Sequence, residues 1–188
     1  LEDWQKKYLR ANETIKLISH GKHILYHCDV EKVCGDAEIY CFDSVINTIE
    51  DHAQAEVITG NSFIKNVQGN AQIQCLDDHA MISNLCENAV VHKMKDISLI
   101  RHAYKDSQIH TMQDNSRTLS LNGNTRIGTM NGHAIVDLAS GQSVIEKVSC
   151  GCAVLGLSHD VQIKKVESGA TVLPLHVDGY HGSTIPFS

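Results

Sequence analysis

The hydrophobic positions of this chain recur every nine residues from about His27 to Val177. Written in nines, residues 61–96 read NSFIKNVQG, NAQIQCLDD, HAMISNLCE and NAVVHKMKD. The register extends back through a shortened unit, DAEIYCF, at residues 36–42 to HCDVEKVCG at residues 27–35. It extends forward to GATVLPLHV at residues 169–177, so that 17 units cover 151 residues. A short fixed period over most of a chain is typical of solenoids, in which each repeat packs on its neighbours.

Three positions in each unit are consistently small or apolar. The second is Ala, Ser or Cys in 15 of the 17 units, the fourth is Ile or Val in 15, and the seventh is apolar in all. Positions two and four alternate with an outward third position, as in a short strand with one buried side. Position nine and the next position one are rich in Gly, Asp, Asn and His, which tolerate tight turns. The sequence therefore predicts an all-β fold, a parallel β-helix (β-solenoid).

Two other repeat architectures fit this pattern poorly. Apolar residues at positions two, four and seven of every nine do not keep to one side of a helix that has 3.6 residues per turn. A calcium-binding β-roll also has a nine-residue unit, but it requires a GGxGxDxUx arrangement that this chain lacks.

The corner residues favour three units per coil. Histidine occupies position one in units separated by multiples of three, and a second class of corners holds Asp, Asn or Gln at residues 36, 61, 88, 115 and 142. Since like residues stack on successive coils, we predict a triangular solenoid of about 27 residues per coil and roughly 27 Å in length. By contrast, Met94, Met112 and Met130 recur in every second unit and favour a two-sided solenoid.

Both ends of the repeat have a different character. Trp4, Tyr8 and Leu9 would lie on one side of a helix, which predicts a short N-terminal helical cap on the exposed solenoid end. After Pro174 the pattern breaks down. The predicted organisation is a cap at residues 1–26, the solenoid at residues 27–177 and a C-terminal tail at residues 178–188.

Charge and cysteine usage limit the classes of binding partner and the cellular compartment expected for this chain. The net charge of -6 is spread along the chain without a basic block, which argues against general nucleic-acid binding. The seven cysteines are odd in number and show no disulfide or CxxC spacing, so we expect reduced thiols and cytoplasmic synthesis. No charged-then-apolar leader or run of about 20 apolar residues is visible, so neither a signal peptide nor a membrane span is predicted.

With three units per coil, one corner would form a ladder of imidazoles and carboxylates about 4.8 Å apart. Its members would be His27, His52, His79, Asp106, His133 and Asp160. Such groups can share a Zn, Ni or Cu ion or respond to pH, because stacked imidazolium ions repel one another. The alternative is that His and Asp are ordinary corner residues with local hydrogen bonds. No other cofactor is predicted.

The same coil length predicts a binding surface that is both apolar and basic. Outward positions of every third unit would stack Phe63, Val90, Arg117 and Val144, bordered by Lys65, His92, Lys93, Lys95 and Lys147. An exposed apolar stripe is tolerated mainly when something covers it, so the expected partner is a protein, an anionic glycan or a second copy. The alternative is a solvated sheet face with scattered apolar residues.

The cysteines do not predict nucleophilic catalysis. Cys28 and Cys152 occupy the small inward second position, whereas Cys41, Cys75 and Cys86 are expected to point outward. None has an adjacent His and Asp in the sequence that would make a catalytic triad.

Units such as GNAQIQCLD at residues 69–77 and ENAVVHKMK at residues 87–95 resemble the GNAxIxxV-type nonapeptide arrays of uncharacterised proteins from gut bacteria and their phages. The resemblance covers most of the chain. It implies a solenoid architecture, and it implies no activity that can be assigned residue by residue.

The regularity of the repeat bears on function. β-Helix enzymes carry their reactive groups on long loops, and this repeat has almost no insertions from which to build a cleft. We therefore predict a non-enzymatic structural scaffold or recognition module that uses a solenoid face or end, in a phage or bacterial surface assembly. A polysaccharide-binding or polysaccharide-cleaving β-helix and a metal- or pH-responsive module are the alternatives.

Overall fold

The computed structural model describes residues 7–175 and confirms the predicted all-β parallel solenoid. Eighteen strands join in one sheet in which all pairings between strands are parallel, and the chain winds through about nine turns. Within the described range, helical backbone is confined to Lys7 and Tyr8.

Successive strands alternate between two stacks, which we call face 1 and face 2. Face 1 consists of β4 (Val45–Ile49), β6 (Phe63–Val67), β8 (Met81–Leu85), β10 (Leu99–Ala103), β12 (Arg117–Leu121), β14 (Ile135–Ala139), β16 (Ala153–Leu157) and β18 (Thr171–Pro174). Face 2 consists of β5 (Gln54–Thr59), β7 (Gln72–Ile73), β9 (Val90–Met94), β11 (Gln108–Met112), β13 (Arg126–Met130), β15 (Val144–Val148) and β17 (Gln162–Ile163). The chain enters through β1 (Leu9–Ala11), β2 (Thr14–Tyr26) and β3 (Asp29–Phe42), and β3 pairs with both β4 and β5.

Each turn of the regular region has two units. Met94 pairs with Met112, and Met112 pairs with Met130, so equivalent positions on neighbouring turns are separated by two nine-residue units. The predicted coil of three units is therefore wrong, and the triangular shape is not confirmed. At about 4.8 Å per turn, nine turns make a rod of roughly 43 Å, longer than predicted.

The corner residues misled the prediction for a physical reason. A corner needs a residue that tolerates left-handed backbone, and several residue types meet that need equally well. Asp78, Asp96 and Asp114 occupy one edge with φ of 55°, 53° and 55°, and Gly132 follows with φ of 69°. Their identities therefore carry little information about which corners stack. The methionines pack on one another inside the core, where side-chain shape matters, and they indicated the correct period.

The N-terminal turns are shorter than the rest. Leu9 pairs with Ile24, so the first turn is shorter than two full units. Asp29 pairs with Val45, and this turn is also short because its second unit is the shortened DAEIYCF. The solenoid is therefore narrower at its N-terminal end.

The predicted helical cap is not confirmed. Residues 1–6, including Trp4, lie outside the described residues, and from Leu9 onward the backbone is mostly strand. Ile15 and Ile18 of the first turn are nevertheless buried. The last two residues of the predicted repeat and the tail at residues 178–188 also lie outside the described range.

The three inward positions form the core as expected. In the unit that contains β9, Ala89, Val91 and Met94 are completely buried. The same positions are buried in nearly all of the remaining units. Burial decreases toward the C-terminal end of the described range, where Leu157 and Val172 are partly buried and Val166 is exposed.

Three buried hydroxyl groups in successive corners have no partner. The Oγ atoms of Ser98, Ser107 and Ser116 make no hydrogen bond to residues 7–175. The equivalent serine further along, Ser143, instead donates to the Ser140 carbonyl oxygen at 2.7 Å. A buried polar atom without a partner destabilises the folded state, so these three positions are suboptimal.

We predict that Ser98→Ala, Ser107→Ala and Ser116→Ala each raise the free energy of unfolding by about 1 kcal/mol, because each removes an unsatisfied buried hydroxyl. Urea unfolding followed by circular dichroism measures the effect. Ser143→Ala is the matched control and should lower stability. Equal losses in all four variants would contradict the prediction.

Candidate functional site

The residues of the predicted metal corner do not meet. His79 and His133 directly precede face 1 strands, whereas His52 and Asp106 precede face 2 strands on the opposite edge. His27 lies on the His79 edge and Asp160 on the Asp106 edge. Even His79 and His133 are three turns apart, or roughly 14 Å. Residues 7–175 contain no group of three His, Cys, Asp or Glu side chains that could hold a metal ion.

Corner histidines make local contacts instead. The His79 Nδ1 atom lies 2.7 Å from the Asp78 Oδ1 atom of the preceding residue. His159 and Asp160 make a similar contact at 3.0 Å between Nε2 and Oδ1. Both pairs are exposed, which is the behaviour of ordinary turn residues.

The predicted binding residues are divided between the two faces. Phe63, Lys65 and Arg117 lie on face 1. Val90, His92, Lys93, Val144 and Lys147 lie on face 2, and Lys95 directly follows β9 of that face. The single surface predicted from a three-unit coil is therefore not formed.

Face 1 instead carries a line of outward side chains that are apolar at every level except one. The strand register places Val45, Phe63, Met81, Leu99, Arg117, Ile135 and Ala153 opposite one another on seven successive turns. We call the six apolar members the apolar column. The sequence analysis selected Phe63 from this line but missed the other five, because they become neighbours only when each turn contains two units.

Arg117 is the one charged residue in this line, and its charge is neutralised on the same face. Its Nε and Nη2 atoms donate to the two carboxylate oxygens of Asp137 at 2.8 and 2.7 Å. This hydrogen-bonded contact raises the pKa of Arg117 above its usual value. A bidentate arginine–carboxylate pair has a fixed geometry, so the guanidinium lies along the sheet.

The C-terminal part of face 1 has further outward leucines that are partly or fully exposed. We call Leu119, Leu138, Leu155, Leu173 and Leu175 the leucine patch. Leu155 is 42% exposed and Leu173 is 47% exposed. A Cβ atom on Gly156 would lie 3.3 Å from the Leu138 Cδ1 atom and 3.5 Å from the Leu175 Cδ1 atom, so both side chains cover the glycine backbone. The apolar surface is therefore wider at this end.

The corresponding line on face 2 is mainly polar. It consists of Gln54, Gln72, Val90, Gln108, Arg126, Val144 and Gln162. Beside it, Lys93, Thr111, Thr129 and Lys147 are also in register. The two faces thus share one backbone repeat and differ in chemistry.

The basic residues predicted on face 2 largely have acidic partners. Lys95 lies 2.6 Å from Asp77, measured from Nζ to Oδ2. Lys147 lies 2.8 Å from Glu167, measured from Nζ to Oε1. These exposed pairs contribute little to stability, but they reduce the positive potential expected for an anion-binding surface.

Two histidines form a pair on face 2. The ring centroids of His92 and His110 are 4.6 Å apart in an edge-to-face arrangement. The His92 Nε2 atom lies 3.1 Å from the Gln72 Oε1 atom. Burial, followed by the charge of His110, lowers the pKa of His92. The sequence analysis selected His92 and missed His110, which is its neighbour across one turn.

The cysteines are all unpaired, and two of them lie where they were not expected. Cys28 and Cys152 are buried as expected, but Cys41 is also completely buried and Cys86 is 5% exposed. The shortened second unit moves Cys41 into the inward position, where it pairs with Ile58. Burial raises the pKa of Cys41 to about 12. The expectation that Cys41 and Cys86 point outward is wrong.

A shallow depression of about 580 Å³ lies at the edge of the solenoid that leads into the C-terminal strands of face 2. It is lined by Gly141, Gln142, Asp160 and Gln162. Its one carboxylate does not provide the acid and base pair that glycoside hydrolysis requires.

We predict that iodoacetamide modifies Cys150 in the native protein and leaves Cys41 unmodified until denaturant is added. Cys150 is exposed, whereas Cys41 is buried and its raised pKa removes the reactive thiolate. Mass spectrometry after timed labelling at about pH 8 distinguishes the two thiols. Equal labelling rates of Cys41 and Cys150 in the native protein would contradict the buried position of Cys41.

We also predict a pH effect from His92. Because its pKa is lowered in the folded state, the unfolded chain binds the proton more tightly, and the stability contributed by neutral His92 is lost as the pH falls below about 6.5. His92→Gln should therefore show a smaller decrease in melting temperature between neutral and mildly acidic pH than the unchanged protein. An equal or larger decrease in the variant would contradict this.

Comparison with known protein families, characterised proteins and solved structures finds no match for this chain. In the part of the chain from residue 7 to residue 175, no helix has the length and apolar character needed to cross a membrane. Functional inference therefore depends on the two solenoid faces.

Proposed function

We propose that this protein is a non-enzymatic scaffold or recognition module whose contact surface is face 1. The observation that carries the proposal is the apolar column, in which six apolar side chains lie in register on the outside of the solenoid. Val45 is exposed and the other five are partly exposed. A row of apolar side chains on the outside of a protein is characteristic of protein contacts.

The outward third position differs between face 1 and face 2. Five of the seven strands of face 2 have five or six residues, as on face 1, and its inward positions are the same, yet Gln54, Gln72 and Gln108 occupy the outward third position. The solenoid backbone therefore does not require apolar residues at this position. A contact that involves face 1 and not face 2 accounts for the difference.

The regularity of the turns supports a scaffold. From Val45 to Ala153 on face 1, each strand pairs with the strand two units later, and the corners between strands are short. Parallel strands connected in this way make a stiff rod without loops long enough to form a cleft. The same regularity weighs against the polysaccharide-cleaving alternative.

The separation of the corner histidines weighs against the metal-responsive alternative, because His52 and His79 lie on opposite edges. The resemblance of the nonapeptide units to arrays in gut bacteria and phages supports a role in a phage or bacterial surface assembly. A stiff rod of roughly 43 Å that makes contacts through face 1 suits such an assembly.

We predict that a photo-reactive benzoylphenylalanine that replaces Phe63 cross-links to protein in the cells that produce this chain. Phe63 lies in the apolar column, and an aromatic replacement preserves its shape. The same residue in place of Gln108, at the matching position of face 2, is the control and should give no specific cross-link. Gel electrophoresis and mass spectrometry identify the products.

Two outcomes would overturn the proposal. One is the absence of any cross-link from position 63, and the other is the same set of products from positions 63 and 108.

A further inference from the structure

We infer that the partner of face 1 is a second copy of this chain, packed face to face through the apolar column and the leucine patch. This inference rests on the proposed function, which requires a contact on face 1 but does not name the partner.

The dimensions of face 1 match those of a stable dimer interface. Its strands have mostly five residues, and at about 3.3 Å per residue they span roughly 16 Å. Its eight strands, about 4.8 Å apart, extend over roughly 38 Å. The resulting area of about 600 Å² per copy, or about 1,200 Å² for two copies, reaches the lower bound of specific, stable interfaces.

The shape of face 1 favours a second sheet of the same length. Two sheets that pack face to face lie about 10 Å apart and interdigitate their side chains over the full length of both. A single peptide strand would cover only part of the seven turns between Val45 and Ala153. A second copy presents a sheet of the same length, and two-fold association is the commonest symmetry among oligomers.

The charge distribution allows two copies to approach through this face. The whole chain has a net charge of -6, so two copies repel one another on average. The outward positions of the face 1 strands from β4 to β16 carry only four formal charges, which belong to Lys65, Arg101, Arg117 and Asp137 and sum to +2. Arg117 and Asp137 already neutralise one another. Face 1 therefore lacks the acidic excess of the whole chain.

The acidic residues concentrate elsewhere. Asp77, Asp78, Asp96 and Asp114 follow face 2 strands at one edge of the solenoid. Face-to-face packing of two copies through face 1 leaves this edge in solvent, where its charge is screened.

Sedimentation velocity over a concentration series tests the inference on the full chain. We expect the unchanged protein to sediment as a dimer. The double variant Leu99→Lys plus Ile135→Lys should weaken dimerisation by roughly 100-fold or more, because it places two charges in an apolar contact. The control is Gln108→Lys plus Val144→Lys, which adds the same charges at the matching positions and the same spacing on face 2. This control should leave the dimer unchanged.

Far-UV circular dichroism and the melting temperature establish that both double variants are folded. Should the face 1 variant fail to fold, a second measurement decides the matter. The purified protein with benzoylphenylalanine in place of Phe63 should give a covalent dimer on irradiation, and the protein with this residue in place of Gln108 should not.

The inference is overturned if the unchanged protein is monomeric at about 1 mM. It is also overturned if the face 1 and face 2 variants weaken the dimer equally, or if irradiation of the purified Phe63 derivative gives no dimer. If the protein is monomeric and position 63 cross-links to a different protein in cells, the proposed function is supported and a second copy is ruled out as the partner. A protein with no cross-link at position 63 in cells would lose the proposed function as well.

Discussion

The backbone hydrogen bonds between successive turns are the interaction on which the rest of this structure depends. The Val90 amide donates to the Ala71 carbonyl at 3.0 Å, and the Gln108 amide donates to the Ala89 carbonyl at the same distance. Repetition of this bond places each residue beside its counterpart two units later. Each position of the repeat therefore forms a column of side chains along the rod. The residue type at that position determines the chemistry of a whole surface.

The inward and outward columns are under different constraints. Inside, Ala, Ser, Ile, Val and Met fill a narrow space between two sheets, and a change of size is costly because interiors are close-packed. Outside, the backbone accepts both Gln and Phe at the third position, as Gln108 and Phe63 illustrate. The outward columns are therefore free to carry function. The difference between the apolar line of face 1 and the glutamine-rich line of face 2 is the clearest functional signal in the molecule.

The corners allow the chain to turn without breaking the ladder. Residues such as Asp78 and Gly132 adopt left-handed backbone, and the short turns leave no excess chain. The short corners also limit the number of reactive sites that the fold can hold, because reactive groups are usually positioned by longer loops. A rod with short corners offers flat faces and edges. Association through a face is the function that such a shape supports best.

The sequence by itself determined the solenoid, the direction in which most positions point and the composition of the core, because a nine-residue strand-and-corner pattern is a local property of the chain. The stacking of turns was not determined in this way. A nine-residue unit is compatible with two or three sides, and corner residues such as His52 and His79 meet the same backbone requirement on either edge. Only the tertiary structure decided that each turn contains two units. With two units per turn, the predicted metal corner and the predicted binding surface are each divided between opposite sides of the solenoid. Met81 lies between Phe63 and Leu99 in one column, because columns form between residues whose separation is set by packing across the core.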